Sequence, residues 1–432
     1  MTESAFGVSA PGLEGVTLLR YAHIYRNRTS GGAEQYLKQL NDAMLARNRM
    51  TILQMHLVRD QSVEVEVETR GQGRIIWIPV RFHDEERSVR SLPRRLRHLA
   101  SGPVATSKDK RSLYRTIRGA LRNSCGHLRY SAMVLSESLV DSLDRYQVDL
   151  IVLHWLSYDV ATLISSAARR RIPYAISHHF DNARLGAAST RRWIRKAAAI
   201  GGVSSRNVPA EIQHCYVNLS DAVDADFFSP AQAIPVARPK GLVILLPSRI
   251  VAGKGHADLL SAAKTCVEMG AALSIVFAGA VESEFLAADL RKKAALWGLR
   301  DSVLFLGELT SHGLRDWYAA CDVVVLPSRS EGLGRVLLEA QAMKKPVIAY
   351  ASGGTQEALV ANQTGFLVES GDHAALAERI KHLLDDPVER SVMGEAGRKF
   401  VLDHFPVAAL VERHEHFYST LLSGRPAGRP RL

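Results

Sequence analysis

Two apolar patterns alternate along the chain. Short continuous apolar runs recur, and between them lie longer stretches in which apolar positions return every three or four residues. The first pattern fits strands buried on both faces, and the second fits amphipathic helices. The runs fall at 16–21, 51–58, 75–80, 149–154 and 174–177, and again at 242–246, 273–278, 303–306, 323–326, 347–350 and 366–368. Helical spacing runs through Tyr36, Leu37, Leu40, Met44 and Leu45, and again over 159–170. From residue 240 to 405 strand and helix alternate, which predicts a doubly wound parallel sheet and an α/β protein. At 432 residues the chain exceeds one ordinary core, so two domains are expected. The proline- and alanine-rich stretch 231–239 reads as the linker. This predicts an N-terminal domain over 1–233, a C-terminal domain over 234–405, and a last helix with a basic, unstructured tail over 406–432. Residues 1–14 are small and polar and are expected to be unstructured.

The stretch from Val323 to Gly354 carries candidate chemistry. The apolar run 323–326 stops at Pro327 and Ser328. Glu331, Gly332, Leu333 and Gly334 follow, then a helix bearing Glu339, then a second apolar run closed by Gly353 and Gly354. A glycine-rich loop opening a helix presents backbone N–H groups at the positive end of the helix dipole, which favours a phosphate or sugar oxygen. Eight residues of helical rise put Glu331 and Glu339 about 10–12 Å apart. That is too far to share one bond but suits two grips on one long ligand. Spacing alone fits equally well a Glu331 that caps the helix and a Glu339 on a solvated face.

The segment "EGLGRVLLEA" resembles the E-x(7)-E signature of the family-4 (group 1) retaining glycosyltransferases, which use sugar nucleotides in a GT-B fold. The resemblance implies two Rossmann-like doubly wound domains facing a central cleft. It implies that Glu331, within the loop Gly332, Leu333 and Gly334, contacts the donor sugar, and that Glu339 contacts the ribose. "PSRIVAGKGHADLL" is similar to the family element whose arginine and lysine bind the donor pyrophosphate, so Arg249 and Lys254 take those places. Both cations suit a diphosphate leaving group. "LGEL" resembles the nucleobase loop and points to Glu308 and Leu309. "RIPYAISHHFDN" matches in part a strand end whose histidine lies near sugar and acceptor, which is His179 here; Phe180 stands where the family has aspartate. Gly31 and Gly32 form either an ordinary turn or, by resemblance, the loop facing the donor diphosphate. Lys344 stands where the family usually has glycine, so a left-handed residue with strain of about 1 kcal/mol is expected there.

Charge and cysteine content narrow the setting. Net charge is +11, which suggests an anionic partner. Residues 81–130 hold thirteen Lys and Arg against four Asp and Glu, nine net positive charges, with leucines interleaved at helical spacing. This reads either as a basic amphipathic contact for an anionic membrane or as two solvated helices. It lacks the aromatic interleaving that stacks bases, so nucleic acid is not expected. The four cysteines are scattered and suggest neither a zinc site nor disulfides. His154, His178 and His179 stand at strand ends, but no third ligand at metal spacing accompanies them. Asp224-Ala-Asp226 falls on an interdomain connection of the family, so no metal is expected. No signal-peptide pattern and no apolar run approaching 18 residues occurs. A cytoplasmic location follows as the expectation; on the membrane reading of 81–130, but not on the solvated-helix reading, the protein also attaches to the inner face of the membrane.

The resemblance implies a glycosyltransferase that retains anomeric configuration and takes a UDP- or GDP-linked sugar as substrate, with no further cofactor. A glycan or lipid-linked acceptor in cell-surface polysaccharide or glycolipid synthesis is expected. A GT-B sugar-nucleotide epimerase and a basic nucleic-acid-binding protein are the other classes. The sequence does not name the sugar, base or acceptor.

Overall fold

The structure is a computed structural model that describes residues 13–22, 32–58, 65–81, 137–154, 160–186, 191 and 193–424. Nearly all of the basic segment 81–130 lies outside the described residues, as do Gly31, residues 1–12 and the tail beyond 424. The described chain forms two compact units. The smaller holds residues 13–22, 48–58, 65–81, 137–154 and 160–176, and the larger holds 32–47 and the described residues from 177 onward.

The smaller unit begins with β1 (Thr17–Tyr21). The next helix, α1 (Gly32–Arg47), belongs to the larger unit. Then come β2 (Thr51–Val58), β3 (Glu66–Arg70), β4 (Gly73–Arg81), α2 (Glu137–Arg145), β5 (Leu150–Leu153), α3 (Val160–Arg170) and β6 (Tyr174–His178). Strand β1 pairs in parallel with β2 and β5, β2 with β4, and β5 with β6. Leu18, Leu19, Ile52, Leu53, Ile75, Leu150 and Ile151 are buried between strand faces and helices, which is why these strands read as unbroken apolar runs. Strand β3 was not among the expected strands. It forms an antiparallel hairpin with β4, and its residues alternate between exposed and half-buried. An edge strand with one face in water carries no apolar run; here Glu68 accepts from Trp77 Nε1 at 3.1 Å and from Arg70.

The larger unit holds the parallel pair β7 (Ala199–Gly202) and β8 (Tyr216–Asn218), with α4 (Ala210–Gln213) between them in sequence. A six-stranded parallel sheet follows: β9 (Leu242–Leu246), β10 (Leu273–Ala278), β11 (Val303–Gly307), β12 (Val323–Leu326), β13 (Val347–Tyr350) and β14 (Gly365–Val368). All six lie where the apolar runs put them. Helices α5 (His256–Glu268), α6 (Glu284–Leu296), α7 (Ser311–Ala320), α8 (Arg335–Ala342) and α9 (His373–Asp385) alternate with the strands, and α10 (Pro387–His404) and α11 (Val407–Leu422) close the unit. Ile244, Leu246, Phe277, Val325, Ile348 and Tyr350 form its core with Leu259, Leu260, Leu290 and Ile380. The segment read as a linker is pinned down: Ile234 N donates to Asp316 Oδ1 at 3.0 Å, and Arg238 pairs with Asp322 at 2.7 Å. Helix α11 packs on α1, where Tyr36 OH meets His414 Nε2 at 2.9 Å and Arg47 pairs with Glu415.

Candidate active site

The six-stranded sheet runs in the order β11-β10-β9-β12-β13-β14, so its winding reverses between β9 and β12. In open parallel sheets ligands bind beyond the carboxyl ends of the strands at such a reversal. The two loops that start there, 247–255 and 327–334, are the two that the sequence motifs single out. They touch through their backbones. Arg329 N donates to Gly253 O at 2.8 Å, and Ser328 Oγ to the same oxygen at 3.3 Å. Gly255, at φ 76°, caps α5; a Cβ there would lie 2.0 Å from Pro327 O, so no side chain fits.

Across this contact Lys254 Nζ donates to Glu331 Oε1 at 2.5 Å, with both side chains mostly shielded from solvent. The structure thus joins a cation and a carboxylate that stand 77 positions apart in sequence. Arg249 is not joined to them. Its half-exposed guanidinium pairs with Glu282, on the loop between β10 and α6.

Glu331 does not cap helix α8. The cap position is Gly334, at φ 89°, and no side chain bonds the helix N-terminus. Gly332 is held under the backbone of His179, where a Cβ would come 2.2 Å from the His179 carbonyl oxygen. Gly353 and Gly354 press on the same stretch. A Cβ on Gly354 would lie 1.9 Å from Gly332 O, and Gly354 N donates to Glu331 O at 3.3 Å. Glycine is therefore required at three points around Glu331, and Leu333 is buried beside them. The His179 ring meets Tyr36 edge to face, with centroids 4.5 Å apart.

Glu339 is not on a solvated face. It is 1% exposed, and both its oxygens are engaged: Oε1 accepts from Arg335 Nε at 3.1 Å and Oε2 from Tyr318 OH at 3.0 Å. Arg335 also donates to Asp221 Oδ1 at 2.7 Å and to Gln39 Oε1 at 2.5 Å. The Asp221 and Glu339 carboxyls are held above the usual carboxylate range, chiefly by burial, and the Arg335 charge opposes that rise without cancelling it. Burial also works against the Arg335 charge, but the two carboxylates outweigh it and hold its pKa above the ordinary value. The Tyr318 hydroxyl is raised well above its usual value by burial and by Glu339.

Glu308 is exposed and Leu309 half-buried, between β11 and the Thr310 cap of α7. Gly32 is the first residue of α1. Asp224 Oδ1 accepts from Asp226 N and Phe227 N, which makes this D-x-D a turn. Among the described residues, no group of three or more His, Cys, Asp or Glu is placed to hold a metal ion. Sequence reasoning missed Asp221, Glu282, Tyr318 and Gln39, whose partners are remote in sequence. Arg335 left a signal, since it stands four residues before Glu339 on one helix face.

The glycosyl transferases group 1 family matches residues 230–400. The chain is 40% identical over 168 residues to a GDP-mannose-dependent monoacylated alpha-(1-6)-phosphatidylinositol monomannoside mannosyltransferase of Corynebacterium glutamicum, covering 37% of this chain and 42% of the relative. It is 33% identical over 180 residues to the capsular polysaccharide biosynthesis glycosyltransferase CapM of Staphylococcus aureus, covering 42% and 46%. The chain thus spans less than half the length of these curated relatives. The crystal structure of Anabaena HepE in complex with UDP-glucose superposes with a TM-score of 0.64 at 17% identity, over 94% of this chain and 99% of that one. At that identity the likeness is one of fold, and the fold is GT-B. Over residues 230–400 the chain is similar to the glycosyl transferases of group 1.

Proposed function

We propose that the protein is a retaining glycosyltransferase that moves a sugar from a UDP- or GDP-linked donor to a hydroxyl of a glycan or lipid-linked acceptor. The Lys254–Glu331 pair at the reversal of the sheet carries this reading, because it sets a cation of the kind that suits a diphosphate beside a carboxylate able to orient a sugar. In this reading Arg249 and Lys254 take up the charge that develops on the departing diphosphate. Glu331 orients the sugar, with the backbone of Gly332, Leu333 and Gly334 around it. Glu339 serves the ribose, Glu308 and Leu309 the base, Gly32 the diphosphate, and His179 the sugar and acceptor. The C1–O bond to the diphosphate breaks, the acceptor oxygen bonds C1 on the same face, and its proton passes to the leaving phosphate oxygen. Residues 234–405 are the donor half and 1–233 the acceptor half.

The names of the relatives support this reading. One is GDP-mannose-dependent, another belongs to capsular polysaccharide biosynthesis, and HepE was solved with UDP-glucose. They favour transfer over epimerisation or nucleic-acid binding. A panel of UDP- and GDP-sugars, assayed for nucleotide release with and without glycan and lipid acceptors, tests it. Release from one donor, accelerated by an acceptor, is expected; release of an altered free sugar with no acceptor requirement points to an epimerase. Activity is expected to survive excess chelator, and loss on chelation restored by manganese or magnesium overturns the metal-independent mechanism.

A further inference from the structure

Arg335 is the first residue of α8, where a cation faces the positive end of the helix dipole, a placement that costs some tenths of a kcal/mol. Its guanidinium is almost wholly buried, and it serves three acceptors from three separate segments: Asp221 after β8, Gln39 on α1 and Glu339 one turn along its own helix. Buried ion clusters of this kind are seldom worth more to stability than well-packed apolar side chains. Helix formation and stability therefore leave the cluster unexplained, and its geometry has a more specific product. The planar fork fixes the direction of one Glu339 oxygen while Tyr318 OH fixes the other.

We propose that Arg335, itself held by Asp221, is a positioning residue that locks the carboxylate of Glu339 in one rotamer to receive the nucleoside of the donor. The inference rests on the donor-site reading of Glu339. An ionised carboxylate accepts hydrogen bonds from two hydroxyls, whereas a protonated one spends an oxygen as a donor. The groups facing the Glu339 carboxyl are the Arg335 guanidinium, the Tyr318 hydroxyl and, beyond Arg335, the Asp221 carboxylate and the Tyr36 hydroxyl. Only Arg335 among them is a cation, so its removal leaves burial and Asp221 to push the Glu339 proton affinity upward.

The test measures binding of UDP, GDP and inorganic pyrophosphate by titration calorimetry between pH 6 and 8. Arg335→Met is expected to weaken nucleoside diphosphate binding about tenfold, the scale of losing a hydrogen-bonded charged group. It is expected to leave pyrophosphate, which has no nucleoside for Glu339 to hold, within about twofold. In this variant the affinity for nucleotide is expected to fall more steeply as pH drops than it does in the wild type. Arg335→Lys, which keeps the charge but loses the fork, is expected to lie between them in affinity and to restore the wild-type pH profile. If Arg335→Met does not fold, the double variant Asp221→Asn, Arg335→Gln removes the pair together and carries the same expectation. Equal loss of nucleotide and pyrophosphate, or a pH profile unchanged from wild type, overturns the positioning role. Glu339→Gln separates the two readings. If it leaves nucleotide binding intact, the ribose role of Glu339 fails and the inference with it; if it weakens binding while the Arg335 variants do not, the inference alone fails.

Discussion

Lys254 and Glu331 pair without being wholly buried, at 23% and 14% side-chain exposure. Replacing either by alanine is expected to lower transfer at least ~100-fold, the scale of losing one charge-stabilising group, with the fold intact by circular dichroism. Near-normal turnover by either variant removes the pair from the mechanism. Lys344 has a φ of 58°, in the left-handed region that glycine occupies at no steric cost. Lys344→Gly is therefore expected to stabilise the protein by about 0.5–1 kcal/mol in urea unfolding, despite loss of the exposed pair with Glu395. This strain was legible through the resemblance, because the family usually has glycine at that helix end. The environment of Glu339 was not legible. A glutamate looks the same on a wet face as in a buried cluster until Asp221 and Tyr318 are brought to it.

Elements were more readable than their contacts. The six strands of the larger sheet declare themselves because burial on both faces demands continuous apolar side chains, whereas the edge strand β3 shows only polar alternation. Helix α5 adds a pH dependence that periodicity does not show. Its first residue, His256, is buried against Phe277, and burial, with Lys254 nearby, pushes its pKa from 6.5 down to about 4. The folded state resists a proton that the unfolded chain accepts. The stability contributed by neutral His256 is therefore complete above pH 6.5 and is lost as pH falls toward 4. The loss is up to about 1.4 kcal/mol per pH unit. Unfolding midpoints from pH 7 to 4 are expected to fall less steeply for His256→Gln than for the wild type; parallel curves remove His256 from the account.

For the whole molecule, charge is the dominant feature, and most of the excess lies in residues 81–130. No helix among the described residues is long and apolar enough to cross a membrane. We propose that the basic segment docks the protein on the anionic inner face of the membrane, where a lipid-linked acceptor is presented. Each Lys or Arg near such a surface contributes about 1 kcal/mol, so half of the nine net charges suffice for reversible attachment. Co-sedimentation with anionic vesicles is expected at low salt and is expected to weaken as salt screens charges beyond about 8–10 Å. Binding unchanged when Arg94, Arg95 and Arg97 are all replaced by glutamate defeats this proposal and leaves the donor-site reading untouched.

The union of α1 with α11 also bears on how the chain is made. Tyr36 and His414 are 378 positions apart, yet they share one buried hydrogen bond within the larger unit. A ribosome adding about 5–20 residues per second delivers the second partner some 20–75 seconds after the first. Throughout that interval Tyr36 has no His414 to bond. Vectorial synthesis therefore leaves the contact between α1 and α11 unmade until α11 emerges, however early α1 itself folds.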